Sequence, residues 1–429
     1  MIPRRWRPQL KQLKTVPVLG IAVVAIALCV LSPLRQLSGD VVPGRLGAAV
    51  LRCAGSFDLA RVDWVADEWA AHGIEYWEEP GDQAGQLTSV FGPAPAVVGA
   101  VALADFGSGA TISDEALRRR ARDAAAVLLA LGAVLLVLAC LAVTTLPRAL
   151  VAGGTAVLSF AGAATLGQGL WQATVALPPL MAGLALVAWH EKRPRLALGA
   201  PAALLLAVMI RPSVAVLGVG LGVVWLRREW RGWRRIAIAA GIAAVAVAPL
   251  VAYNAVHWSS PFPLGQWHAN ARDSAHVFGA PAGIAGLVVS PARGIVWFAP
   301  VVFLARRHRL VLVLQLVAMA AFFKWHGGMA YGPRLLAEAT WIAIFAACDA
   351  RVAWLAPAVA VTIVVGQLGL WRFRVEQWET RRRPETHADA WWDVRDNPIF
   401  ATLRDEPATI VDSPARAFVH CADGRVTTR

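Results

Sequence analysis

Apolar runs long enough to cross a lipid bilayer recur along the whole chain, and no other feature narrows its fold as much. Residues 16–34, 124–144, 236–251 and 352–370 are such runs. Each approaches the ~20 residues that an α-helix needs to traverse ~30 Å of hydrocarbon. With 429 residues, 57% of them hydrophobic, and a mean hydropathy of +0.54, the chain lacks the polar surface a soluble fold would need to cover its core. The expected fold is an all-α polytopic membrane protein rather than a set of soluble domains.

The net charge of +13 does not indicate a nucleic-acid partner. The arginines gather in short clusters between apolar runs, which is the positive-inside pattern of a membrane protein. Only Lys11, Lys14, Lys192 and Lys324 are lysines, and this bias, with abundant Ala and Val, fits a GC-rich bacterial genome. The five cysteines, Cys29, Cys53, Cys140, Cys348 and Cys421, show no paired or metal-type spacing. That implies neither a disulfide framework nor a zinc site. Cys53 and Cys421 both fall on the expected outer side, where a bridge between them is chemically open.

Charge parity sets the expected topology. Arg4, Arg5, Arg7, Lys11 and Lys14 hold the N-terminus in the cytoplasm. Residues 1–37 resemble a signal peptide, but the apolar run is long and no small-residue cleavage site precedes Asp40, so it reads as an uncleaved first helix. Residues 38–116 follow as a first outer loop, with one or two short amphipathic helices lying along the membrane. Within it, 93–109 is apolar but short and carries Pro93 and Pro95. If it crossed, the clusters at 190–195, 227–235 and 306–309 would all face outward, so it is read as a dip into the interface. The cost is that Arg118, Arg119, Arg120 and Arg122 stay outside, beside Asp114, Glu115 and Asp123. Spans then fall near 117–145, 149–167, 172–189, 196–211, 213–226, 235–252, 295–305, 309–324, 334–349 and 352–371. With the first helix this makes about eleven crossings. Residues 1–371 form the membrane domain, and 372–429 form a small outer tail.

Polar chemistry concentrates on the outer face. Residues 38–92 hold nine acids, whereas between Ala124 and Arg272 only Glu191 and Glu229 occur, both in cytoplasmic joints. Asp40 stands at the outer end of the first helix, where a charge near membrane depth is expensive without a partner or a task. Arg45, five residues on, is a candidate partner. A second cluster spans 322–338, where Lys324, His326, Tyr331 and Arg334 converge near a helix start. Such a start offers unpaired N–H groups to a phosphate. Arg334 adds a planar fork, and Glu338 lies four residues along, placed to orient it. A snorkelling interfacial arginine would look the same from sequence. Tyr76, Tyr253 and Tyr331 all fall at the outer side, either as an aromatic belt or as sugar-stacking rings. Arg211-Pro212 breaks one apolar stretch, and Gln168, Trp171 and Gln172 mark the end of another. No phosphate-binding Gly-rich loop of the Walker type is present on the cytoplasmic face.

These pieces together resemble the GT-C superfamily of multi-pass glycosyltransferases, especially bacterial relatives of the protein O-mannosyltransferases and lipid A aminoarabinose transferases. The order matches: S-G-D-x-x-P-x-R after helix one, Phe91-Gly92-Pro93-Ala94-Pro95, an L-W-Q helix end, an R-P break, Y-N followed by S-P-F, S-P-x-R-G, and W-x-G-G-x-x-Y-G-P-R. The match covers residues 38 to about 338. The resemblance implies a GT-C-like fold in the cytoplasmic (inner) membrane and sugar transfer for the cell envelope on its outer face. The donor would be a polyprenyl-phosphate-linked sugar and the acceptor a glycan, lipid or protein. By position Asp40 matches the acidic residue that serves as base or orients the acceptor. Arg211, Lys324 and Arg334 match the groups that hold the donor phosphate, with Arg45 a further candidate. Tyr331, His326, Trp171, Gln172, Tyr76 and Glu338 are candidates for sugar or acceptor contacts. No nucleotide cofactor is implied, and a divalent ion at Asp40 is compatible with the chemistry. The sequence departs from the superfamily pattern at Val41-Val42, where many members carry a second acid, and at Ala173, where relatives often have His. Two rival readings are a transporter or flippase for a lipid-linked sugar, which would carry its polar groups near the midplane, and a non-catalytic GT-C-like scaffold.

Overall fold

The computed structural model describes residues 15–33, 41–65, 79–80, 86–263, 280–322, 325–327, 330–373, 378, 388–404 and 418–428. They form an all-α body with a few short strands. After α1 (Thr15–Leu31), the segment up to residue 113 holds α2 (Val42–Ala54), β1 (Glu79–Pro80), β2 (Leu87–Thr88), α3 (Ala94–Ala102) and β3 (Thr111–Ser113). The helical body continues through α4 (Asp114–Leu141), α5 (Leu146–Leu158), α6 (Gln172–Ala188), α7 (Ala200–Ile210), α8 (Ala215–Glu229) and α9 (Trp233–Trp258). Next come α10 (Ala280–Val289), α11 (Ile295–Phe298), α12 (Arg309–Ala320), α13 (Ala337–Ala347) and α14 (Val352–Arg372). The tail adds α15 (Pro398–Arg404), β4 (Phe418–Ala422) and β5 (Arg425–Thr428).

Among the described residues, α4, α9 and α14 are long and apolar enough to cross a membrane. The most apolar stretch of α4 is 56% buried, against 17% for α9 and 22% for α14. Thus α4 is the inner helix, packed by α1, α5 and α6, while α9 and α14 turn apolar side chains outward. Ser113 starts α4 by accepting the N–H of Ala116 at 3.1 Å, and Asp114 and Glu115 favour its positive end. The arginines that follow are paired: Arg118 with Asp114, Arg119 with Glu115, Arg120 with Asp105, and Arg122 with Asp123. At the joints between α6, α8 and α9, Glu229 accepts both His190 and Arg235 at 2.6 Å.

Several of the expected spans are broken rather than continuous. The stretch expected at 149–167 ends as a helix at Leu158, turns through 159–165 and resumes as a 3₁₀ turn at Leu166–Gln168. Side chains satisfy part of the freed backbone: Gln168 donates to the Ala163 carbonyl at 2.8 Å, and Thr174 donates to the Leu166 carbonyl at 2.8 Å. The stretch at 295–305 splits into α11 and a 3₁₀ turn at Pro300–Leu304, because Pro300 has no N–H to continue the ladder. The stretch at 334–349 carries an α-helix only from Ala337 to Ala347.

A second, smaller core gathers Leu46, Val50, Leu59, Leu103, Phe106, Val419 and Val426 around α2, α3 and the tail hairpin. Helix α3 has nine residues, so it is ~14 Å long, under half the ~30 Å hydrocarbon layer. Gly44 and Gly99 let α2 and α3 lie close, since a side chain on either would press on Pro95 or Ala48. The tail does not stand apart. β4 pairs antiparallel with β3 and turns into β5 at Asp423-Gly424, both with positive φ, as a tight hairpin requires. Cys53 of α2 is disulfide-bonded to Cys421 of β4, so the cysteine spacing had hidden a real bridge.

Candidate functional site

The site begins at a helix break. Pro212 disfavours a helical residue before it, so Arg211 is extended (φ −139°, ψ 96°) and α7 stops at Ile210. A 3₁₀ turn at Pro212–Val214 then leads into α8. Arg211 therefore projects from a break between two helices. Its Nε lies 2.8 Å from Oε1 of Glu338 and donates to Oγ of Ser213 at 2.8 Å. Both charged side chains are buried, at 10% and 2% exposure. The carboxylate thus serves Arg211, whereas its helical spacing pointed to Arg334.

Arg334 opens a 3₁₀ turn, Arg334–Leu336, before α13. The N–H groups expected to await a phosphate are partly engaged: those of Arg334 and Leu336 donate to the carbonyls of Gly332 and Pro333 at 2.9 and 2.8 Å. The Arg334 guanidinium instead lies over Trp171, 4.4 Å from the ring centre, a stacked cation–π arrangement. Trp171 is the residue on which α6 starts, and it is itself buried. Arg211, Arg334, Glu338 and Trp171, from three separate breaks in the helical body, thus meet in one place. Their neighbour Gln172 donates from Nε2 to the Phe91 carbonyl at 2.5 Å, tying α6 to the turn before α3.

Other expected site residues have structural surroundings. Tyr331 is buried, donates its hydroxyl to the Val365 carbonyl at 2.9 Å and packs on Phe298 and Phe373. A side chain at Gly369 would collide with its ring, so Tyr331 is a core contact to α14. The His326 ring lies 4.7 Å from that of Trp391 in the tail. Arg45 pairs with Asp114 at 3.3 Å, and burial pushes its guanidinium down to about 10, with Asp114 opposing the shift. Asp40, Lys324 and Tyr76 lie outside the described residues. Among the described residues no group of three His, Cys, Asp or Glu side chains could hold a metal ion.

Arg293 is an organising residue whose role the sequence did not disclose. It is fully buried, with its guanidinium 5.7 Å from the Trp378 ring and 5.5 Å from that of Trp391, and it donates to the His326 carbonyl at 3.1 Å. One side chain thereby joins the tail to the loop that leads to Arg334. The S-P-x-R-G stretch was visible, but nothing local announces that its arginine is buried between tryptophans. No protein-family model matches the chain, and no curated protein matches it.

Proposed function

We propose that this chain is a multi-pass inner-membrane glycosyltransferase of the GT-C type. It moves a sugar from a polyprenyl-phosphate donor to a glycan, lipid or protein acceptor on the outer face. The observation that carries this reading is the meeting of two buried guanidinium groups, Arg211 and Arg334, at breaks in the helical body. Planar forks held by a carboxylate and an indole suit phosphate oxygens.

In the reaction, the acceptor oxygen attacks the anomeric carbon as the bond from that carbon to the phosphate oxygen breaks. The acceptor proton passes to the Asp40 carboxylate. The electron pair leaves with polyprenyl phosphate, whose charge Arg334 and Arg211 stabilise, with Lys324 a further donor. The sidedness is supported by the Cys53–Cys421 bridge, which belongs in an oxidising compartment. It is supported also by α3, too short to cross, and by the pairing of the arginines at the start of α4. In this reading the N-terminus lies inside and the first loop and the tail outside, in a membrane domain of about eleven crossings.

The test is purified protein in nanodiscs with a panel of polyprenyl-phosphate sugars, following release of polyprenyl phosphate. Asp40→Asn should abolish transfer and leave donor binding intact. Arg334→Ala should weaken donor binding roughly ten- to a hundredfold, because a charge-assisted contact to phosphate is present in the ground state as well. Full turnover by Asp40→Asn would overturn the catalytic assignment.

A further inference from the structure

Two basic joints come together on the face that charge parity assigns to the cytoplasm. Residues 190–195 lie between α6 and α7, and residues 227–235 lie between α8 and α9. Buried contacts weld them into one surface. Glu229, 6% exposed, meets His190 at 2.6 Å. Arg228 donates to the Val187 carbonyl at 2.7 Å and Arg235 to the Pro194 carbonyl at 2.5 Å. The joint at 306–309 lies within the same field: His308 sits below its ordinary pKa, through burial first and then through the charges of Arg307 and Arg228.

The charge on this surface is not balanced from within. Residues 190–195 carry three Lys or Arg side chains and 227–235 carry five, against the two acids Glu191 and Glu229. Glu229 is already taken by His190 and Arg235. Among the described residues, no carboxylate pairs with Arg227, Arg231 or Arg234. Beside these arginines stand two large exposed indoles, Trp230 at 63% and Trp233 at 70%. Arg231 lies 4.9 Å from the centre of the Trp230 ring, and Arg234 lies 5.5 Å from that of Trp233. Exposed apolar stripes lead into the joint from both sides: Val219, Val223 and Leu226 on α8, and Ile238, Ile242 and Val245 on α9. Each set is spaced at three and four residues, so it occupies one helix face.

Apolar stripes ending in exposed indoles and then in guanidinium groups follow the profile of a bilayer leaflet from acyl chains to headgroups. A soluble acidic partner would match the arginines and leave the stripes uncovered. The surplus of positive charge also discriminates between lipids. A zwitterionic headgroup brings an ammonium with its phosphate, and the joint repels that ammonium; a net-negative headgroup brings no such penalty. We propose that the paired joint is a binding site for a net-negative phospholipid, with Arg231 and Arg234 holding its phosphate and the stripes of α8 and α9 meeting its acyl chains. The site does not depend on the transferase reading.

The test titrates the full-length protein, stripped of lipid in a neutral detergent, with phosphatidylglycerol or phosphatidylcholine and counts bound lipid by native mass spectrometry. Phosphatidylglycerol should bind about tenfold more tightly, as one or two basic groups near a headgroup allow. Arg231→Gln/Arg234→Gln should erase that preference, and because both side chains are exposed, Tm should move by less than about 1 °C. The same charge removed by Arg351→Gln/Arg372→Gln, at the two ends of α14, should leave the preference in place. Equal binding of the two lipids to the unmodified protein would overturn the site, as would a preference that survives Arg231→Gln/Arg234→Gln. An equal loss in Arg351→Gln/Arg372→Gln would reduce the effect to net charge and overturn it too. Tighter binding of a polyglutamate peptide than of phosphatidylglycerol would assign the surface to an acidic protein instead.

Discussion

Replacing Glu338 with Ala removes a carboxylate whose oxygen lies 2.8 Å from Nε of Arg211, with only 2% and 10% of the two side chains exposed. The guanidinium would then remain charged in a low-dielectric interior. Breaking one side of such a pair costs about 3–5 kcal/mol. Unfolding entropy of ~2.1 cal/mol/K per residue over 429 residues amounts to ~0.9 kcal/mol/K. The expected loss in Tm is therefore about 3–6 °C for Glu338→Ala, and similar for Arg211→Met. The double variant Arg211→Met/Glu338→Leu removes both charges of this pair, so it should be more stable than either single change. The assay is thermal unfolding in one detergent, read by the emission of the 19 tryptophans. Single changes that each move Tm by less than about 1 °C, or a double change equal to their sum, would show that the pair is solvated. The buried site built on it would then be wrong.

Arg334→Lys keeps a charge but loses the planar stack on Trp171, so it should recover only part of the donor affinity lost in Arg334→Ala. Equal affinities for Arg334→Lys and the unmodified protein would remove the stack from the site. After proteolytic cleavage between residues 53 and 421, the fragments should stay joined on a non-reducing gel and separate on reduction, and in Cys421→Ser they should separate without reductant. Separation of the unmodified protein without reductant would refute the bridge. In intact cells, single-cysteine probes at Gln83 and Thr386 should react with an impermeant reagent and one at Arg231 should not. Labelling at Arg231 would invert the proposed topology.

Local pattern carried part of this protein and stopped where contacts cross the chain. The apolar runs made the helical class legible, because hydrocarbon length and backbone hydrogen bonding leave few alternatives. The break at Arg211-Pro212 was legible too, since proline acts on its immediate neighbour. The partner of Arg211 was not. A helix starting at Arg334 would set Glu338 beside Arg334, but the 3₁₀ turn at 334–336 changes the phase, and the carboxylate meets a guanidinium from another helix break. Arg45 looked like a partner for Asp40 because they are close in sequence, yet the packing of α2 sets it beside Asp114 at the head of α4. By itself the sequence determined the helical class and the break at Arg211-Pro212, since these follow from hydropathy and from proline acting on its neighbour, whereas the breaks inside 149–167, 295–305 and 334–349 emerged only in the structure. The tertiary structure decided which charges are neutralised, which tyrosine is core and which cysteines join across 368 residues, because a charge, a ring or a thiol takes whatever partner the packing brings within reach.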